Sequence, residues 1–283
     1  MLKKDMRYLL CFLVLVLSIS LVSCRSKKIK DKSYLPSSVI NGDNEPKLNI
    51  FVPRNTKVAA PILIFVHGGY WNSGRKGTYD LLGRNFASRG IVTVIPDYTL
   101  SPAANYDEMT KQIAAVIKWV KVNAGQYNGN PKQIFITGHS AGGHLAALAV
   151  MNPKYGTDPT TIAGLILNDA AGLDMNNYLK EYPPTTDHDY LATWTNNPEN
   201  WKDASPIYFI DKNTPPILMY VGEKTYPSIK DSNSAFLKAL HPFQPEVSPI
   251  FLNKKHVPMA TQYFWPWSDR FDEVINFMKL HSK

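Results

Sequence analysis

Cysteine is nearly absent from this chain of 283 residues, because the only two are Cys11 and Cys24, both close to the N-terminus. Residues 25–283 therefore contain no thiol, which excludes a disulfide, a cysteine nucleophile and a cysteine-ligated zinc site in that part of the chain. Histidine spacing of the HExxH type is also lacking. We expect no metal and no cofactor.

The greater part of the chain also lacks a strong net charge. The formal net charge is +8, but residues 1–23 carry three basic side chains and one acid, and residues 24–32 carry five basic side chains and one acid. The remaining residues carry only about +2. The pI near 9.2 therefore gives no reason to expect nucleic-acid binding. The basic stretch suits either anionic lipid head groups or a solvated linker.

The N-terminus has a basic start and an apolar run from Tyr8 to Val22 that is short for a membrane-spanning helix. This pattern predicts a signal peptide at residues 1–23. The run ends in "LVSC", which resembles a bacterial lipoprotein box. The resemblance implies lipidation of Cys24 and a location in the bacterial cell envelope. The alternative is a plain membrane anchor with an incidental cysteine. We expect residues 24–46 to form a lipidated basic tether and linker.

Apolar segments alternate with helical patterns from residue 47 onward. Continuous apolar runs such as 61–66 are typical of buried parallel strands, and 106–124 has the spacing of an amphipathic helix. The alternation predicts one α/β domain at 47–283, with a mainly parallel twisted sheet and helices on both faces. Residues 170–213 are too long for an ordinary connection and contain several tyrosines and tryptophans. They predict a lid insertion.

The segment "TGHSAGGH" (137–144) lies between a predicted strand and a predicted helix. A serine at the tip of a sharp strand–turn–helix is exposed to substrate and to the N–H groups of the helix, and the glycines on either side allow the close packing that this turn needs. Ser140 is therefore our candidate nucleophile. The alternative is a glycine-rich turn with a capping serine.

A second glycine motif, "HGGYW" (67–71), follows the upstream strand 61–66. Such a loop supplies N–H donors to the oxygen of a tetrahedral intermediate. Our candidates for the oxyanion hole are Gly69, Tyr70 and Ala141. The two motifs resemble those of the esterase/lipase branch of the α/β-hydrolase fold, above all its acetyl- and feruloyl-esterase-like and kynurenine-formamidase-like groups. The resemblance implies that fold and a serine mechanism, and leaves the substrate open.

The chain has seven histidines. In the α/β-hydrolase fold the base follows the last strand, and His256 is the histidine in that position. The other six lie in the glycine motifs, in the lid or at helix ends: His67, His139, His144, His188, His241 and His281. We interpret the three in the glycine motifs as packing or positioning residues.

The third member of a triad does not follow the family pattern, because Thr225 stands where a carboxylate is expected after the penultimate strand. Threonine cannot carry the charge that stabilises imidazolium. We favour Glu223 as the acid. The alternatives are Asp169 or Asp174, at the end of the preceding strand, or no effective acid; Asp231 fits less well.

These residues predict a serine carboxylic-ester hydrolase that acts through an acyl-enzyme on small or aromatic-acyl esters, including esters on polysaccharides. Trp71, Trp265 and Trp267 are candidates for substrate binding; the alternative is packing. Two other functions stay open: an arylformamidase-like amide hydrolase, and an envelope binding protein with a degenerate triad. The oligomeric state is not predicted.

Overall fold

The computed structural model describes residues 26–36, 45–54 and 56–282. The predicted signal peptide and Cys24 lie outside these residues. The strands are β1 (Ser26–Ser33), β2 (Lys47–Pro53), β3 (Ala60–Val66), β4 (Val92–Pro96), β5 (Gly129–His139), β6 (Gly164–Asn168), β7 (Ile217–Lys224) and β8 (Ile250–Lys255).

The α-helices of the described residues are α1 (Asp80–Ala87), α2 (Tyr106–Asn123), α3 (Ala141–Met151), α4 (Met175–Glu181), α5 (Tyr190–Trp194), α6 (Pro198–Asp203), α7 (Pro227–Leu240), α8 (His256–Thr261) and α9 (Arg270–Leu280). A capping box fixes the start of α2, where Asn105 accepts from the backbone of Glu108 and Glu108 accepts from that of Asn105. None of the helices in the described segments combines the length and the apolar character needed to cross a bilayer.

The eight strands form one sheet in the order β1-β2-β4-β3-β5-β6-β7-β8. β1 and β2 are antiparallel to their neighbours, and all pairs from β4 to β8 are parallel. Consecutive residues of β3 alternate between two cores, because side chains of a strand point to opposite faces. Ile62 and Ile64 pack with α2, α3 and α7, whereas Leu63 and Phe65 pack with α1 and α9. The predicted parallel sheet with helices on both faces is therefore present.

β1 corrects the predicted tether. Residues 26–33 are not a linker but an edge strand, paired with β2 from Ser26↔Pro53 to Ser33↔Lys47. Ile29 packs against the core, and Lys28 forms an ion pair with Asp80 at the start of α1. The prediction failed because charged side chains are typical both of linkers and of edge strands, where they prevent pairing with other chains.

The inserted segment 170–213 contains α4, α5 and α6 and covers part of the sheet's carboxyl edge. Its Trp194 is completely buried and packs edge-on against Trp71 of the glycine loop, with ring centroids 4.8 Å apart. Asn72 donates to Asp189 across the same contact. The insertion is therefore fixed to the loop that follows β3.

Candidate active site

Ser140 lies between β5 and α3 in a strained backbone conformation, with φ 56° and ψ −125°. A positive φ in a residue other than glycine costs about 1–3 kcal/mol and persists only where the surroundings enforce it. Here they do, since the N–H of Ser140 donates to Asn168 and its carbonyl accepts from Gly143 and Ala171. The sharp turn expected for a nucleophile is thus present.

Two glycines allow the turn to pack closely. A Cβ on Gly142 would lie 2.1 Å from the carbonyl oxygen of Val66, and a Cβ on Gly68 would lie 2.7 Å from that of His139 and 3.0 Å from the Cβ of Ser140. No side chain fits at either position. The start of α3 and the loop after β3 therefore lie directly against the serine.

His256 begins α8, directly after β8, and its ring reaches Ser140. The Oγ of Ser140 lies 2.8 Å from Nε2 of His256, and Nδ1 lies 2.6 Å from Oδ2 of Asp169. Because a carboxylate only accepts, Nδ1 carries the proton, and Nε2 is free to accept the proton of the serine hydroxyl. These three side chains have the geometry of a catalytic triad.

The acid in this arrangement is Asp169 and not Glu223, which corrects the preference drawn from the sequence. Asp169 follows β6 and is fully buried, whereas Glu223 is exposed near the end of β7. Asp174 does not contact His256 either, since its carboxylate accepts from the backbone and side chain of Asn177 at the start of α4. Asp169 was one of the alternatives that the sequence left open.

Thr225, which occupies the family's usual acid position, forms hydrogen bonds within the same site. Its hydroxyl donates to Oδ2 of Asp169 at 2.5 Å and lies 3.2 Å from Nδ1 of His256. The N–H of Gly222 donates to Oδ1 of Asp169 at 2.8 Å. Three donors therefore hydrogen-bond to one buried carboxylate and fix the orientation of both its oxygens.

The histidines of the glycine motifs are packed, as interpreted from the sequence. Nε2 of His139 donates to the carbonyl of His256 at 3.0 Å, and Nε2 of His144 donates to the carbonyl of Ala204 at 2.7 Å. Burial lowers the pKa of each ring to about 4. Both rings are therefore neutral near pH 7. His139 holds the backbone of His256 in place, and His144 connects α3 to the segment after α6.

The three candidate oxyanion donors lie on the start of α3 and on the loop after β3, the two segments that pack against the serine. Ala141 is the first residue of α3, and Gly69 and Tyr70 both have positive φ in the loop after β3. Within the described segments, none of these three N–H groups donates to a protein acceptor. The first N–H groups of a helix carry partial positive charge. The arrangement is suited to a developing oxyanion.

A pocket of about 170 Å³ opens at Ser140 and His256. Trp71 lines it, and its Nε1 donates to Nδ1 of His144 at 3.2 Å. Tyrosines form much of the remaining wall: Tyr70, Tyr178, Tyr190 and Tyr226. Burial, followed by a hydrogen bond with Tyr226, raises the pKa of Tyr70 to about 12. The pocket thus offers aromatic faces together with phenolic hydroxyls.

The other two candidate tryptophans do not line this pocket. Trp265 and Trp267 are 50% and 65% exposed and stack on each other with ring centroids 5.5 Å apart. They lie before α9, and Arg89 donates to the carbonyl of Pro266 between them. The sequence did not single out Tyr226, although it directly follows Thr225 and precedes the proline that begins α7.

Among the described residues, His139, Asp169 and His256 form the group with metal-ligand atoms close together, within 4.8 Å of one another. Each of these atoms already faces a protein partner in the hydrogen bonds above. The group is therefore explained by the triad and its support.

The fold and the Ser–His–Asp geometry together define an α/β-hydrolase. An inhibited esterase B from Lactobacillus rhamnosis has the same fold, with a TM-score of 0.73 at 19% sequence identity, over 95% of this chain and 94% of that chain. The family model of BD-FAE matches residues 48–240, and the chain belongs to the BD-FAE family.

Two relatives are similar over part of their length. Esterase LipQ of Mycobacterium tuberculosis is 33% identical over 197 residues, which is 64% of this chain and 46% of that protein. A probable isoprenylcysteine alpha-carbonyl methylesterase of Oryza sativa subsp. japonica is 39% identical over 115 residues, 40% of this chain and 28% of that protein. The chain thus matches less than half the length of either relative.

Proposed function

We propose that this chain is a serine carboxylic-ester hydrolase that forms an acyl-enzyme on Ser140. The observation that carries the proposal is the unbroken chain of hydrogen bonds from Ser140 through His256 to Asp169, at 2.8 and 2.6 Å, at the base of an open pocket. The names of the two relatives, an esterase and a probable methylesterase, support the same reaction class.

In the first half of the reaction, His256 Nε2 takes the proton of Ser140 as its Oγ attacks the ester carbonyl. The carbonyl electrons move onto oxygen, and the N–H groups of Gly69, Tyr70 and Ala141 stabilise the resulting oxyanion. The intermediate collapses when the bond to the alcohol breaks. His256 then returns the proton to the leaving alkoxide, and the acyl group remains on the serine.

In the second half, His256 removes a proton from a water molecule that attacks the acyl-enzyme. A second oxyanion forms and collapses with loss of Ser140, which regains its proton from His256. Asp169 stabilises the imidazolium in both halves, and Thr225 and Gly222 hold the carboxylate in line with Nδ1. Proximity of all these groups removes most of the entropic part of the barrier.

The lining of the pocket favours substrates with small or aromatic acyl groups, including acyl groups attached to polysaccharides. Tyrosine faces stack on aromatic rings and sugar rings, and their hydroxyls hydrogen-bond to phenolic or sugar oxygens. Trp71 completes the wall next to the serine. The binding-protein alternative depended on Thr225 in place of an acid, and it loses that support because Asp169 supplies the carboxylate.

A substrate panel tests the proposal and separates it from an arylformamidase, which would use the same triad. The purified chain is assayed with p-nitrophenyl acetate, methyl ferulate and N-formylkynurenine. We expect kcat/KM to be highest for one of the two esters. Preference for the formamide would assign the second reaction class, and failure with all three substrates would contradict a hydrolase.

We also propose a lipid anchor at Cys24 in the bacterial cell envelope. β1 begins at Ser26, which pairs with Pro53 at the end of β2. β4, the next strand of the sheet after β2, also begins near this end of β2, beside Phe51. The start of β1 therefore lies at the edge of the sheet where the parallel strands begin. The catalytic residues lie at the opposite edge, where these strands end. A lipid on Cys24 would leave almost no tether and would direct the pocket away from the bilayer.

The anchor is tested by metabolic labelling with palmitate in a bacterial host. Wild-type protein should be labelled and sediment with membranes, and Cys24→Ser should lose the label. Continued labelling of this variant would contradict the anchor site.

A further inference from the structure

A groove of about 530 Å³ lies beside the catalytic pocket, between α4 and the first turns of α7. The groove and the pocket share five lining residues: Asp174, Tyr178, Tyr226, Ser228 and Ser232. The two cavities therefore form one continuous surface. An ester whose carbonyl lies at Ser140 extends into the groove with one of its two halves.

Tyr226 indicates which half that is. Its ring packs against the ring of His256 with centroids 5.2 Å apart and an interplanar angle of 63°. His256 Nε2 protonates the leaving alkoxide, so the alcohol must lie on the histidine side of Ser140. Because Tyr226 is also a wall of the groove, the groove is on the leaving-group side.

The groove is negatively charged. Asp174, Glu181 and Asp231 line it, and its lining contains no lysine, arginine or histidine. Within the described segments, none of the three carboxylates forms an ion pair. A hydrogen bond to Glu181 and the charges of Glu181 and Asp231 raise the pKa of Tyr182 in the same groove. An anionic group placed there meets repulsion without a compensating cation.

The groove also has aromatic surface, since the rings of Tyr178 and Tyr182 lie 5.3 Å apart along it. We propose that this groove binds the alcohol part of the ester and selects neutral or cationic alcohols over anionic ones. This selection rests on the esterase function proposed above. Sugars and aromatic alcohols fit the combination of ring faces and carboxylate acceptors, whereas uronate or phosphate-bearing alcohols do not.

Three phenyl acetates whose para substituent is neutral, anionic or cationic test the proposal. They are methyl 4-acetoxybenzoate, 4-acetoxybenzoate and 4-(trimethylammonio)phenyl acetate, with each kcat/KM divided by the rate of spontaneous hydrolysis. We expect the neutral and cationic esters to exceed the anionic one by about tenfold at low salt. The ratio should shrink at high salt, because exposed charges are screened.

Single substitutions locate the effect. Glu181→Gln and Asp231→Asn should each reduce the discrimination by roughly twofold to threefold. Glu246→Gln is the matched control, since Glu246 is exposed and follows the opposite end of α7, and it should leave the discrimination unchanged. Lack of hydrolysis of all three esters would contradict the esterase function. Hydrolysis without charge discrimination, or with discrimination that both groove variants retain in full, would overturn the groove proposal.

Discussion

Asp169→Asn tests the corrected acid assignment. The carboxylate of Asp169 is fully buried and accepts the Nδ1 proton of His256 at 2.6 Å. An amide there has no charge to stabilise imidazolium and can turn its own N–H₂ toward the ring, which favours the wrong tautomer. In serine proteases the equivalent change lowers kcat by about 10⁴, or roughly 5.5 kcal/mol of activation free energy. We expect a loss of that order in hydrolysis of p-nitrophenyl acetate.

Thr225 allows the same assignment to be tested by rescue. Its Oγ1 lies 3.2 Å from Nδ1 of His256, so a carboxylate at position 225 can reach the ring. The double variant Asp169→Asn, Thr225→Asp should therefore recover about 10²-fold or more of the lost kcat. Recovery through a new carboxylate distinguishes loss of charge from loss of folding.

Glu223→Gln is the matched control, because Glu223 is an exposed carboxylate two residues before Thr225. It should retain nearly all activity. A larger loss in Glu223→Gln than in Asp169→Asn would refute the assignment of the acid, and no recovery in the folded double variant would refute the geometry assigned to position 225.

Three further predictions concern the loop, the buried histidines and the first strand. Gly68→Ala should lower kcat by about tenfold to hundredfold in the same assay, because its Cβ would lie 3.0 Å from that of Ser140; wild-type activity would contradict this close packing. His139 and His144 have pKa values lowered by burial from 6.5 to about 4, so the unfolded chain binds more protons between these pH values. The free energy of unfolding should therefore decrease as the pH is lowered through this window, by about 3 kcal/mol per histidine at pH 4. A free energy of unfolding in urea that does not change with pH would contradict this prediction. A chain that begins at Glu45 lacks β1 and exposes the edge of the next strand, so its Tm should drop by about 5 °C or more; an unchanged Tm would restore the linker interpretation.

The nucleophile was predictable from a local motif, and the base from the order of elements along the chain. Ser140 lies in a motif whose glycines are required by backbone contacts, some of them only a few residues away: a Cβ on Gly138 would lie 2.2 Å from the carbonyl oxygen of Gly142. His256 follows from the order of elements, since it comes directly after the last strand. Both inferences need the chain order of elements and no knowledge of distances between them.

The acid could not be selected in the same way, because its identity depends on which strand ends meet in space. Asp169 and Thr225 are 56 positions apart, yet they meet because β6 and β7 are neighbours in the sheet. The sequence pattern placed Glu223 and Thr225 on the same strand end but could not show that the first of them faces solvent. The left-handed backbone of Asp169, with φ 50°, turns the chain after β6.

The first strand and the tryptophan pair show a second limit of sequence patterns. β1 has the composition of a solvated segment, and only its pairing with β2 and the contact of Ile29 with the core reveal a strand. Trp265 and Trp267 lie soon after His256 in the chain, which suggested a place in the pocket. The contacts of Arg89 and Asn85 with this segment hold it beside α1 instead.

The central claim is that Ser140 is the nucleophile, and active-site titration with p-nitrophenyl acetate tests it most directly. Wild-type protein should release a burst of about one nitrophenolate per chain as the acyl-enzyme forms, and a fluorophosphonate probe should modify the peptide that contains Ser140. Ser140→Ala should lose the burst, the adduct and about 10⁶-fold in kcat, while Ser88→Ala, at the end of α1, should behave like wild type. A burst or an adduct that persists in Ser140→Ala would contradict the account.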